Sequence, residues 1–168
     1  SMTSQAGKAA AFRALHEGPA FVIPNPWDAG SARVLAALGF QALATTSSGF
    51  AFTQGRLDGD VTLDDVVDHA AALAHATDLP LSVDLENGYG ADPDTAAVAI
   101  RRVADAGAVG ASIEDYDRQG YLYDLGRAVA PSSRGDSRRD PVALLTATIG
   151  YGPACAFGAP GPASVRSR

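Results

Sequence analysis

The chain has 168 residues, 46% of them hydrophobic, and a formal net charge of −6. That length suits one domain with a real core, the apolar fraction excludes a disordered chain, and the acidic balance argues against nucleic acid and anionic membranes as partners. A single cysteine, Cys155, excludes a disulfide framework and fits a reducing compartment; with no membrane-spanning apolar run and no signal peptide before the first strand, a cytoplasmic protein is expected.

Residues 9–17 read as a short helix, with Phe12 and Leu15 spaced to face a core. Phe21-Val22-Ile23 reads as a buried strand closed by Pro24-Asn25-Pro26. Asp28 is placed to cap a helix through Ser31, Val34, Leu35 and Leu38, which Gly39 stops. Residues 42–46 form the next expected strand, and Ser47-Ser48-Gly49 reads as a turn leaving it. The clearest helix follows. Leu63, Val66, Val67, Ala70, Leu73 and Ala74 keep an i, i+3, i+4 stripe behind a capping box of Thr62 and Asp65. A strand is expected at 81–85, then a helix capped by Asp92 with Pro93 at its first position and ending at Gly107, then a strand at 109–113. His16, His69 and His75 read as solvent-facing helical residues without a role.

Four strands alternating with helices predict a parallel α/β sheet built of right-handed crossovers. A doubly wound sheet and a (β/α)8 barrel both fit, and no G-x-G-x-x-G follows the first strand to support a dinucleotide fold. Either way, side chains at the carboxyl ends of the strands converge on one face. Asp84 and Glu86 end one strand, two residues apart and so on one side of it, and Glu114 ends the next. Three carboxylates without His or Cys suit a hard cation, Mg²⁺ or Mn²⁺. The plainer reading of each is a helix cap or a solvated loop charge.

Beyond about residue 130 the character changes. Residues 131–168 hold five of the ten prolines and five arginines against two aspartates, whereas residues 1–130 carry 8 basic and 17 acidic residues. Periodicity is confined to a short apolar run at 142–149, and Arg127-Ala128-Val129 looks like a helix start without continuation. The expected organisation is therefore a first unit over 1–130 and an irregular tail over 131–168. That tail is read either as a product of a shifted frame or truncated gene, or as a Pro/Gly-rich flexible segment.

Five motifs, in order, carry a resemblance. They are Asn25-Pro26-Trp27-Asp28-Ala29-Gly30-Ser31-Ala32, Thr46-Ser47-Ser48-Gly49-Phe50, Leu57-Asp58-Gly59, Val83 to Gly90, and Ile113-Glu114-Asp115. Over roughly residues 9–129 the chain resembles the isocitrate lyase/phosphoenolpyruvate mutase superfamily. The resemblance implies a (β/α)8 TIM-type barrel, incomplete here, with only its first four β/α units before the tail. It implies Mg²⁺ (or Mn²⁺) held by Asp84, Glu86 and Glu114, partly through water, and substrate contacts at Ser48, Gly49, Phe50 and Asn87. Trp27 would wall the pocket and Asp58 would serve the metal-bound water or the catalytic groups, with Asp60 a neighbouring competitor. The implied chemistry makes or breaks a C–C or P–C bond in a small 2-oxo acid, such as an oxaloacetate-like diacid, through an enolate-like oxyanion. A homo-oligomer is expected, because half a barrel leaves open strand edges.

Two departures qualify this. The Lys-Lys/Arg-Cys-Gly-His loop of the isocitrate and methylisocitrate lyases has no counterpart in residues 115–125, and Lys8 is the only lysine. The later strand-end arginine is also missing, with Leu144-Leu145-Thr146-Ala147-Thr148 in its place. Cleavage of isocitrate is therefore not expected. The alternative is a catalytically impaired half-barrel that only binds metal or oligomerises.

Overall fold

The computed structural model describes residues 4–114 and the backbone of residues 143–144. The stretches 115–125 and 127–129, Cys155 and the remainder of the 131–168 tail lie outside the described residues.

The elements run α1 (Gln5–Glu17), α2 (Ala29–Ala37), β1 (Leu43–Ala44), α3 (Ser47–Thr53), α4 (Leu63–Ala76), β2 (Leu81–Asp84), α5 (Pro93–Asp105), β3 (Gly110–Ser112) and β4 (Ala143–Leu144). All four strands are parallel and lie in the order β1-β2-β3-β4. A doubly wound sheet reverses its strand order at a switch point; this sheet advances in one direction, as barrel strands do. The apolar run around 142–149 thus supplies a strand, with Ala143 beside Gly110 and Leu144 beside Ala111.

Local chemistry sets the helix ends. The Asp28 side chain accepts from the Ser31 N–H, and the Ser31 hydroxyl answers to the cap backbone, closing a capping box on α2. Thr62 and Asp65 repeat the device on α4, where Arg56 also reaches Asp65 at 2.8 Å. Asp92 caps α5 ahead of Pro93. α1 begins four residues before the expected start, at Gln5, because the Ser4 hydroxyl accepts from the Gly7 N–H.

Two expectations fail on backbone grounds. Residues 21–23 do not form a strand. The Ala44 N–H donates to the Pro24 carbonyl at 3.1 Å, but Pro24 and Pro26 have no N–H to return, so the pairing beside β1 stops there. Ser47-Ser48-Gly49 is not a turn but the opening of helix α3, capped by Thr46.

α2 packs on α4 and α4 on α5, covering the sheet with a core that includes Leu43, Val66, Leu73, Leu81, Val83 and Val103. A second, smaller cluster lies at the amino ends of the strands, where Phe12 of α1 is fully buried with Ala9, Ala42 and Val109. α1 is also fastened there by side chains. Gln5 donates to the carbonyls of Ala104 (2.7 Å) and Ala108 (2.9 Å), and Lys8, buried, donates to Thr77 O at 3.2 Å. Thr77 caps the end of α4, and Ala104 and Ala108 lie in the last turn of α5 and just beyond it, so α1 is tied to the ends of both helices. Among the described residues no helix is long and apolar enough to cross a membrane.

Candidate functional site

Opposite α1, at the carboxyl ends of the strands, Asp84 is the hub. Its Oδ2 accepts the Ser47 N–H at 3.1 Å, its Oδ1 accepts the Glu86 N–H at 3.0 Å, and its own N–H donates to the buried Thr45 hydroxyl at 2.8 Å. One carboxylate thus ties the end of β2 to the first residue of α3 and to the loop that follows β2.

Beyond Asp84 the ladder between β2 and β3 continues irregularly. Leu85 N–H donates to Ser112 O at 3.0 Å and Glu114 N–H to Glu86 O at 2.7 Å, which sets the backbones of the two glutamates side by side. The strand itself ends at Asp84, and Glu86 has φ +49. The period-two argument that grouped Asp84 with Glu86 therefore does not describe this backbone: a left-handed turn, not strand alternation, brings the glutamate to the end of the sheet. Glu86 is 6% exposed, and Tyr89 donates its hydroxyl to Glu86 Oε1 at 3.2 Å. Asn87 is half-buried in the same loop.

The α3 side is built by close approach. A Cβ at Gly49 would collide with the Trp27 indole edge and with Thr46 Cγ2 at 2.6 Å, so glycine lets the indole lie against the opening of the helix. Trp27 stays 49% exposed beside it. Gly49 N–H is already engaged by Thr46 Oγ1 at 3.3 Å, whereas no hydrogen bond is recorded for the Ser48 N–H among the described residues. The Phe50 ring does not face this opening. It is buried and stacks on the His69 ring at 3.9 Å and 12°. Asp58 and Asp60 are exposed in the loop between α3 and α4, away from the backbone bonds that join the strand-end carboxylates.

His69 corrects the expectation for the histidines. It is buried at 9% exposure, and its Nε2 has no hydrogen-bond partner among the described residues. Burial pushes its pKa down to about 4, against a smaller upward pull from the Asp28 carboxylate. The signal was in the spacing, since residue 69 falls on the stripe of Val66, Ala70 and Leu73. A folded-state pKa below the unfolded 6.5 means that the unfolded chain takes up a proton the native one refuses. Stability is therefore whole above pH 6.5 and lost as pH falls from 6.5 toward 4. The Asp28 and Asp65 carboxyls, both held below 3.8 chiefly by hydrogen bonds from Ser31 and Thr62, lose their contribution only at lower pH. His69→Phe keeps the stack on Phe50, and it should remove roughly 2 kcal/mol of the acid-side loss between pH 6.5 and 4, allowing for solvent screening. Urea titrations at pH 7 and pH 4.5 measure it. An equal pH 7-to-4.5 loss in both proteins would remove His69 as the cause.

Among the described residues no group of three or more His, Cys, Asp or Glu side chains forms a ligand cage for a metal ion. The donor set at the strand ends nevertheless fits a hard cation that keeps much of its water. Asp84, Glu86 and Glu114 offer only carboxylate oxygens, and each Asp84 oxygen spends one lone pair on a backbone N–H and keeps another.

The sequence profile of phosphoenolpyruvate phosphomutase matches residues 12–145, most of the chain. The chain belongs to this family. The match runs past residue 130 to β4, which the resemblance over 9–129 did not include. The 2-methylisocitrate lyase of Halalkalibacterium halodurans is 35% identical over 114 residues, covering 67% of this chain and 38% of that protein. A Burkholderia cenocepacia J2315 protein of inferred lyase/mutase activity is 49% identical with a TM-score of 0.78, over 83% of this chain and 53% of that one. Oxaloacetate acetylhydrolase superposes with a TM-score of 0.74 at 28% identity, over 86% and 55%. The membership confirms the isocitrate lyase/phosphoenolpyruvate mutase superfamily, an α/β fold of barrel type and a lyase/mutase lineage. The chain spans between 30% and 38% of the length of the curated relatives it matches.

Proposed function

We propose that this chain carries the metal-binding half of a Mg²⁺-dependent (or Mn²⁺-dependent) enzyme that makes or breaks a C–C or P–C bond in a small 2-oxo acid, an oxaloacetate-like diacid being the first candidate. The observation that carries the reading is Asp84, whose carboxylate joins the opening of α3 to the loop bearing Glu86, beside Glu114. Asp84, Glu86 and Glu114 would hold the cation, largely through its water. When bound, the cation supplies Lewis-acid stabilisation of charge developing on the 2-oxo oxygen.

The chain's own residues do the rest. Ser48 and Gly49 present the α3 opening to the substrate carboxylate, with Ser48 N–H the donor that remains to be used. Trp27, packed on Gly49, shields one side from water. Asn87 and the Phe50 backbone border the same opening. Asp58 or Asp60 would reach a proton or a metal-bound water only if the loop between α3 and α4 closes over the site. Orientation of the carboxylate against the carbonyl is what this half contributes to rate.

The test is turnover of oxaloacetate with Mg²⁺, followed by product analysis with and without EDTA. Weak EDTA-sensitive turnover is expected, with no cleavage of isocitrate or methylisocitrate. The absent Lys/Cys loop and strand-end arginine would each be worth about 10²–10⁴ in rate. Robust isocitrate cleavage would overturn the specificity assignment.

The second reading, a chain that binds metal or oligomerises without catalysing, is favoured by the missing Lys/Cys loop in residues 115–125. It predicts metal binding without turnover of any 2-oxo diacid. Under either reading a homo-oligomer is proposed, because Val34 of α2 and Leu38 at its carboxyl end are exposed at 59% and 70%. A cytoplasmic setting is proposed from the lone cysteine. The division at residue 130 is retained as a proposal about composition.

A further inference from the structure

We propose that Tyr89 is a positioning residue for Glu86: its hydroxyl aims the Glu86 carboxylate at the cation site and so sets the affinity of that site for a divalent ion. The inference rests on the metal-site reading above and goes past it to a residue outside the carboxylate set.

Three observations carry it. The Tyr89 hydroxyl donates to Glu86 Oε1 at 3.2 Å in a partly buried setting, and Glu86 is itself almost wholly buried. Both residues have left-handed backbones, Glu86 with φ +49 and Tyr89 with φ +62, and among the described residues they are the only non-glycine residues with positive φ. Such conformations persist where the surroundings over-determine them, and they gather where a side chain must be aimed. The surroundings here do so. Gly88, at φ +85, donates its N–H to Leu85 O at 2.8 Å, and a Cβ on it would meet Ala96 Cβ at 2.7 Å. The turn is thereby pressed onto the first turns of α5, which returns Tyr89 toward Glu86. From the other side, Glu114 N–H fixes Glu86 O at 2.7 Å.

A purely structural role is the competing explanation, because Tyr89 also packs against the main core. Tyr89→Phe keeps that packing and removes only the hydroxyl. The two explanations differ in what happens when Glu86 is altered as well.

The experiment titrates the full chain with Mn²⁺, reading free Mn²⁺ by electron paramagnetic resonance, for wild type, Tyr89→Phe, Glu86→Gln and the double variant, with thermal melts alongside. Outer partners of ligating carboxylates are typically worth 10–100-fold in affinity, and Tyr89→Phe should weaken Mn²⁺ by that factor while the melt stays in place. In the Glu86→Gln background the same change should have little further effect, because Tyr89 acts through Glu86. An unchanged affinity in Tyr89→Phe, with wild type binding normally, overturns the positioning role and leaves the metal reading intact. An equal loss in both backgrounds also overturns it, showing a general loosening of the fold. Failure of the wild type to bind Mn²⁺ overturns both the metal reading and this inference.

Discussion

Asp84→Ala should abolish divalent-cation binding and lower stability in the same stroke. The substitution removes the one carboxylate that answers two backbone donors, Ser47 N–H and Glu86 N–H. Each donor left without a partner in a partly buried place costs about 1–3 kcal/mol, so a loss of roughly 2–4 kcal/mol is expected. It also removes one of the three carboxylates proposed to hold the cation. Asp84→Asn separates the effects, since it keeps an acceptor for one N–H and loses the charge. It should recover part of the stability and none of the binding. Calorimetry with Mg²⁺ and urea unfolding of the three proteins measure both. Undiminished Mg²⁺ binding in Asp84→Ala would end the assignment of this residue as a ligand.

The largest pure stability effect is expected at the opposite end of the sheet. Phe12 has no exposed surface, and its ring lies where a Cβ on Gly110 would stand 2.6 Å from Cε1. Phe12→Ala opens a cavity beneath the sheet and should cost about 3–5 kcal/mol. Gly110→Ala fails for the converse reason, since the added methyl has nowhere to go while the ring is present. The two sites must therefore couple. In Gly110→Ala/Phe12→Leu the methyl finds the space that the ring vacates, and the double variant should be more stable than the sum of its parts by about 0.5–3 kcal/mol. Strict additivity in a chemical-denaturation cycle would show that the ring does not press on Gly110.

Much of this was legible in the sequence because it is written in periodicities and caps. The α4 stripe, the Asp28 cap, the Thr62 box and the Asp92-Pro93 start depend on residues a few positions apart, and each is found where the spacing places it. Serine and threonine were harder to interpret. They start helices as readily as they make turns, so Thr46-Ser47-Ser48-Gly49 and Ser4 each hid a helix start. The strand expected at 21–23 was lost to proline, whose missing N–H is a property of the partner's ladder as much as of the segment. His69 was passed over because residue type was weighed above position on the helical wheel. Asp84 stands at the end of β2, as the spacing places it, but the left-handed turn at Glu86 cannot be deduced from a residue that ordinarily avoids it.

The fastening of α1 has a consequence for how the chain comes to be folded. Gln5 and Lys8 are made well before their acceptors Thr77, Ala104 and Ala108, which follow up to 103 positions later. At a synthesis rate of about 5–20 residues per second, the first helix must wait about 5–20 s for its last partner to be joined to the chain. Through that interval Phe12 lacks Val109 and Gly110, which complete its packing. Helix α1 should accordingly be the last described helix to dock during translation, and the natural point of engagement for a chaperone that holds nascent chains.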